Sequence, residues 1–236
     1  VSTKVLPPRQ AVVYCASLEF TGALMGTHVA NTIGAGIVNP DTITLHVIFC
    51  ALVAAIIWNL ITWFFGLPSS SSHALIGGLI GSAVVNAGWG CVRFAELLDK
   101  VIEPMFLAPV IGFGTGFVVM AVLLRIFYKA NPDKVNRRFR RCQIFSAGLM
   151  ALSHGSNDAQ KTMGIITLAL LAGGVLKGGT DGNFEIPLYV ILACATVMSL
   201  GVMSGGWKII KTMGSKIIKL KPINGFAAES SAATII

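Results

Sequence analysis

The feature that most restricts this chain is the length of its apolar runs. Residues 10–37, 43–65, 74–87, 104–128, 144–176 and 186–207 are each dominated by Leu, Ile, Val, Phe, Ala and Gly, and a further run begins near Ile223. Among these six ranges, all but 74–87 reach the roughly 17 residues that a helix needs to cross about 30 Å of hydrocarbon. Inside hydrocarbon every backbone N–H and C=O must find an internal partner, and continuous apolar runs of this length do so as helices. The expectation is an all-α integral membrane protein. Composition agrees: 54% of the 236 residues are hydrophobic and only 12% charged, half the charged fraction of about a quarter typical of a soluble domain.

The net charge is +8, and its placement says more than its size. Residues 125–141 hold seven of the eighteen Lys and Arg, and residues 208–221 hold five more. Basic segments next to membrane helices stay on the cytoplasmic side. With both inside, 144–176 leads out, 186–207 returns, and 177–185 is external. Lys4 and Arg9 put the start inside, and the stretch 38–42, with only Asp41, falls outside. Nucleic-acid binding is excluded for basic segments trapped between membrane helices. Five isolated cysteines have no metal-ligand or redox spacing and read as small hydrophobes.

Two polar interruptions break the apolar pattern. The first is "ALSHGSNDAQKTMG", residues 151–164, with Asp158 and Lys161 where a membrane helix should be oily. Gly155 reads as a break, after which Asn157 with Gln160 three residues on resembles a capping box restarting a helix. A helix beginning at mid-depth aims its unpaired N–H groups and positive dipole end into the bundle, an arrangement suited to anions. The second is "GLPSSSSHALIGGLIG", residues 66–81. Pro68 ends one helix and a serine cap starts the next, with no charged residue between. A tip buried in the membrane explains this better than a loop in water, so 56–65 and 74–87 read as the arms of a re-entrant hairpin.

Each feature also has a plainer reading. A serine run before a helix is commonly a surface turn, and Asp158 with Lys161 at i,i+3 can be a structural pair. Intramembrane charges are costly enough that an unexplained one is a functional candidate. Glu19, alone in the first apolar run, is a candidate ion or proton site by the same reasoning. His28 and His46 are weaker, and His46 reads as interfacial.

"GTHVANTIG" (residues 26–34) and "GWKIIKTMG" (residues 206–214) share Gly, five residues, Thr, one residue, Gly. If they correspond, each half displays one polar break and lacks the other, which would fall beyond the chain. The expectation is a partial chain of an inverted-repeat transporter with broken helices. Residues 1–128 would be most of the first repeat, with its hairpin; 129–141 a basic cytoplasmic loop; and 142–236 part of the second repeat, with its polar signature.

These motifs resemble the inorganic phosphate transporter (Pit) family. "SHGSNDAQK" is similar to its H-G-x-N-D-x-Q-K signature, and "WNLITWFFGLPSSSSHALIGGLIG" to its hairpin element. The resemblance implies that Ser70, Ser71, Ser72 and His73 hold phosphate oxygens and that Gly155, Asn157 and Asp158 belong to the phosphate and coupling-ion element; by their chemistry, Asn157 and Gln160 would add amide contacts and Lys161 would balance charge or meet a phosphate oxygen. It implies coupling-ion binding at Asp158 and Asn157, to which the residue reading adds Glu19. Sodium-coupled relatives end the signature in Asn, whose amide oxygen can coordinate Na⁺. Lys161 carries an ammonium there, which favours protons.

The resulting expectation is a symporter of inorganic phosphate, free or as a metal phosphate, with H⁺ or, second, Na⁺. It would be multi-pass in the plasma or inner membrane, with no cofactor or resident metal, surrounded by lipid and paired as a homodimer. One alternative is a transporter of another oxyanion such as sulfate. A membrane hydrolase using Ser153–His154 or Ser72–His73 with Asp158 is disfavoured, because adjacent residues on a helix point about 100° apart. A purely structural subunit is the third rival.

Overall fold

A computed structural model describes residues 3–26, 36–39, 42–176, 185–217 and 220–235, with side chains left undescribed at 215–217 and 234–235. His28, Asp41 and most of the first copy of the repeat, from residue 27 on, lie outside the described residues. The described chain is helical: α1 Pro8–Ala23, α2 Leu45–Phe65, α3 Ser71–Ala87, a short α4 Phe94–Leu97, α5 Glu103–Ile126, α6 Pro132–Ala172, α7 Leu188–Ser204, α8 Trp207–Lys211 and α9 Pro222–Ile235. Among the described residues the only β pairing is an isolated bridge between Val38 and Val92.

Long α6 is the post around which the rest packs. α1 lies against it through small residues. A Cβ on Gly155 would sit 2.7 Å from the Glu19 Cα, Gly22 abuts the Leu152 carbonyl, and Gly148 receives the Tyr14 ring. Tyr14 also donates its hydroxyl to the Ile144 carbonyl at 3.1 Å. Between membrane helices there is little hydrophobic driving force, and close backbone approach at such positions supplies the packing. α7 closes a second seam, where Ala23, Ala159, Met163, Val190, Cys194 and Ala195 are buried together. α9 packs on the first half of α6, where the Phe226 ring meets Phe139, and Phe127, just past α5, meets the same Phe139 ring.

α2 and α3 form the expected hairpin, with arms longer than the 56–65 and 74–87 read from sequence. Gly66 ends α2 in the left-handed region (φ 68°), with the Leu67 N–H returning to the Thr62 carbonyl at 2.8 Å, a glycine-closed helix end. Ser70 then caps α3 by accepting from the His73 N–H at 3.3 Å. The arms touch closely: a Cβ on Gly78 would lie 2.6 Å from the Ala51 carbonyl oxygen. Val47, Ile48, Ala51, Leu79 and Ala83 bury against Ile165 and Leu168 of α6.

α5 has no buried residue. Together with α4 and the wide turn between them it makes a 33-residue apolar stretch, Phe94–Ile126. Its exposed Phe106, Val110, Phe113 and Phe117 form the surface expected to face lipid. By length and apolarity Leu45–Phe65 and Phe94–Ile126 can each cross a membrane, and α7 with the segment after it makes a third candidate, bent by 55°. The run 186–207 is thus not one straight span, and the break falls at Gly205–Gly206. Gly205 is needed there, with φ 69° and the Trp207 ring folded onto it.

Two expectations are corrected. α6 runs unbroken through Gly155, Asn157 and Asp158 for 41 residues, so no helix starts at Asn157. Gly155 serves contact with α1 instead of a break, and continuous hydrogen bonding inside the membrane outweighs the cap-like pattern. The basic stretch 129–141 is also helical from Pro132 onward. Asn131 caps it by accepting from the Asp133 N–H at 2.9 Å, and its arginines line the first turns of α6.

Candidate functional site

From Ile144 to Ala172, α6 is about 43 Å long at 1.5 Å per residue, enough for the hydrocarbon and both interfaces. Asp158 stands at its centre. His154, Asp158 and Lys161, spaced by four and three residues, share one face. The hairpin reaches this face from the far end of α6: Leu45, starting α2, packs near Gly173, whereas Ser72, just past the tip, touches Asp158 and Lys161. The tip therefore meets α6 partway along its length, at Asp158 and Lys161.

The contacts at the tip are polar and short. Lys161 Nζ donates to Asp158 Oδ1 at 2.8 Å and to Ser72 Oγ at 2.8 Å, and Ser72 Oγ is 3.5 Å from Asp158 Oδ1. His154 Nε2 lies 3.2 Å from Asp158 Oδ2, and its Nδ1 lies 3.2 Å from Glu19 Oε1 on α1. Three helices thus contribute to one chain of groups: Glu19, His154, Asp158, Lys161, Ser72. Glu19 is 7% exposed, and its Oε2 is buried without a hydrogen-bond partner. A buried carboxylate oxygen left this way costs free energy unless a proton or cation meets it.

Beside the cluster a cavity of about 500 Å³ opens between α6 and α7, lined on its polar side by Ser71, His154, Asp158 and Thr162. On α7 its walls include Ala193, Val197 and Gly201. Among the described residues no group of three His, Cys, Asp or Glu is arranged to hold a metal.

The predicted site residues divide. Ser72, Asp158 and Lys161 meet directly, Glu19 joins them through His154, and Ser71 lines the cavity. Ser70 and His73 line a separate groove with Ala54, Trp58 and Gly77. Gln160 is buried and faces the end of α1, its Nε2 lying 3.3 Å from where a Cβ on Gly26 would be. Asn157 is half-buried on α6. The sequence reading passed over His154 as a site residue, although its i,i+4 spacing to Asp158 was there to be seen. It also missed Glu229. That carboxylate, on α9, accepts from Ser146 Oγ at 2.6 Å and from Gln143 Nε2 at 3.1 Å. A lone acidic residue in the apolar run 222–235 is the same signal that singled out Glu19.

Residues 1–138 and 127–236 match the pattern of the phosphate transporter family. The chain belongs to that family. A probable low-affinity inorganic phosphate transporter of Bacillus subtilis (strain 168) is 48% identical over 238 residues, covering all of this chain and 70% of that one. The same description attaches to a Rhizobium meliloti (strain 1021) protein, 44% identical over 99% of this chain and 69% of its own. A Mycobacterium tuberculosis (strain H37Rv) relative is 42% identical over the whole chain and 56% of its own length. Among solved structures, one described as the sodium-dependent phosphate transporter superposes with a TM-score of 0.88 at 25% identity, over 99% of this chain and 76% of that one. The chain is a membrane protein of a transporter family, not an enzyme. Nothing in these relatives supports the sulfate alternative.

Proposed function

We propose that this chain belongs to a symporter that moves inorganic phosphate across the cell membrane in company with protons. The observation that carries the reading is Lys161, whose ammonium reaches both the hairpin serine Ser72 and the half-buried carboxylate Asp158 at 2.8 Å. An ammonium has three donors, and the third is available to a phosphate oxygen. Ser71 and Ser72 supply hydroxyls, and the N-terminal end of α3 supplies backbone N–H groups and a favourable dipole.

Charge supplies the coupling. With His154 neutral, Glu19 and Asp158 against Lys161 leave the cluster one negative charge in excess, which repels an anion. One bound proton, shared along Glu19, His154 and Asp158, cancels that excess and lets phosphate settle on Lys161. Lys161 stands where a coupling metal cation would have to sit beside Asp158, which favours the proton. Sodium remains the second reading, supported by the partnerless Glu19 Oε2 and by the sodium-dependent transporter of similar fold. Asn157 and Gln160 contribute amide contacts in this scheme, and Ser70 and His73 shape the tip. The resemblance also supports repeats at 1–128 and 142–236 joined by the basic segment 129–141, a multi-pass arrangement in the plasma or inner membrane, and a homodimer. Carriage of phosphate as a metal complex fits the same hydroxyl and ammonium cradle.

The test is labelled-phosphate uptake by the full-length protein in proteoliposomes, under an imposed proton or sodium gradient, with Asp158→Asn alongside. Proton-driven uptake that the variant loses supports the reading. Sodium-driven uptake retires the argument from Lys161, and uptake that Asp158→Asn leaves unchanged removes Asp158 from the coupling.

A further inference from the structure

The break between α7 and α8 lies beside the hairpin tip, and one side chain joins them. Lys208, on the first turn of α8, donates from Nζ to the Phe64 carbonyl at 3.3 Å. That carbonyl is among the last of α2, where the helix leaves carbonyls unpaired and the dipole is negative. The same ammonium stands 4.9 Å from the centre of the Phe64 ring and 5.4 Å from that of Trp63, within cation–π range. The approach is close because Gly66 has no side chain: a Cβ there would lie 3.4 Å from both Lys208 Cβ and Thr212 Oγ1. The bend at Gly205 and Gly206 turns α8 so that Lys208 faces the tip.

We infer that Lys208 is a positioning residue for phosphate binding, pinning the hairpin tip at the depth where Ser72 meets Lys161. The inference rests on the phosphate reading above. The tip is held at two points by two lysines. Lys161 takes Ser72, and Lys208 takes the end of α2. Phe64 and Ser72 are only eight positions apart, and the turn between them is fixed by the glycine closure at Gly66 and the serine cap at Ser70. Releasing the first point therefore loosens the second. Lys208 touches neither Asp158 nor Lys161, so its loss should weaken phosphate binding without disabling the coupling groups.

The experiment compares wild type, Lys208→Met and Lys208→Arg in the full-length protein by two measurements. In phosphate uptake, Lys208→Met should raise KM about fivefold with the maximal rate within about twofold of wild type, and Lys208→Arg should recover most of the difference. In amide hydrogen exchange, residues 66–73 should exchange about fivefold faster in Lys208→Met and near the wild-type rate in Lys208→Arg. Unchanged exchange in Lys208→Met overturns the pin, whatever happens to uptake. Faster exchange with an unchanged KM overturns the link from tip position to phosphate. Absence of phosphate uptake in wild type overturns the phosphate reading, and with it the binding role of Lys208; the exchange arm then still reports on the pin alone.

Discussion

Gly155 offers the sharpest test of the packing described above, because two readings of it predict opposite signs. If this glycine breaks a helix, alanine should repair it and stabilise the protein by about 0.5–1 kcal/mol, the difference in helix propensity between the two residues. The structure predicts the reverse. A Cβ at position 155 would lie 2.7 Å from the Glu19 Cα and 2.8 Å from its carbonyl carbon. That is about 0.7 Å inside ordinary contact, and the obstruction is backbone, which cannot rotate away. Overpacking of this kind costs about 1–3 kcal/mol, so after the propensity gain Gly155→Ala should be destabilised by up to about 2.5 kcal/mol, and not stabilised. Relief requires α1 to retreat, drawing Glu19 away from His154. The assay is reversible unfolding in mixed detergent, with Gly114→Ala as the control. Gly114 lies in an equally helical stretch where a Cβ would meet nothing within 4 Å, and that variant should be neutral or slightly stabilised. Stabilisation of Gly155→Ala comparable to the control would refute the packing account.

Three further outcomes follow from the contacts. Ser72→Ala removes one acceptor of the Lys161 ammonium and a hydroxyl of the cradle, and should raise the phosphate KM about tenfold, the equivalent of about 1.4 kcal/mol. Glu229→Ala leaves the Ser146 hydroxyl and the Gln143 amide without their shared acceptor, and should cost about 1–3 kcal/mol in detergent unfolding, with Glu229→Gln less affected. Gly205→Ala meets both a positive φ and the Trp207 ring at 2.6 Å, and should lose about 1–2 kcal/mol in the same assay. An unchanged unfolding curve would show that the bend relaxes without cost.

Much of the architecture was legible because hydrocarbon tolerates so few solutions. The run read as 104–128 emerges as α5, Glu103–Ile126, and the Pro68–Ser70 punctuation marks the hairpin tip. Gly155 was misread because a glycine that ends a helix and one that admits a neighbouring backbone look the same in sequence. What distinguishes them is the partner, here Glu19, 136 positions away along the chain. His154 escaped for a related reason. Its spacing to Asp158 was visible, but its second carboxylate neighbour lies on α1, and only the packing of α1 on α6 brings that group within reach. Ser70 and Ser72 look interchangeable in a run of four serines, yet one caps α3 and the other meets Lys161, a difference set by the rotation of a single helical turn.

The continuity of α6 also restricts how the site can be exposed first to one side and then to the other. An uninterrupted helix has no hinge, so His154, Asp158 and Lys161 travel as one rigid unit and cannot be rearranged relative to each other by bending their own support. On the proposed transport reading, the freedom needed for a cycle would come from the interrupted segments, the serine tip between α2 and α3 and the glycine pair between α7 and α8. On that reading, the charged groups would be the fixed jaw and the broken backbones the doors that close upon it.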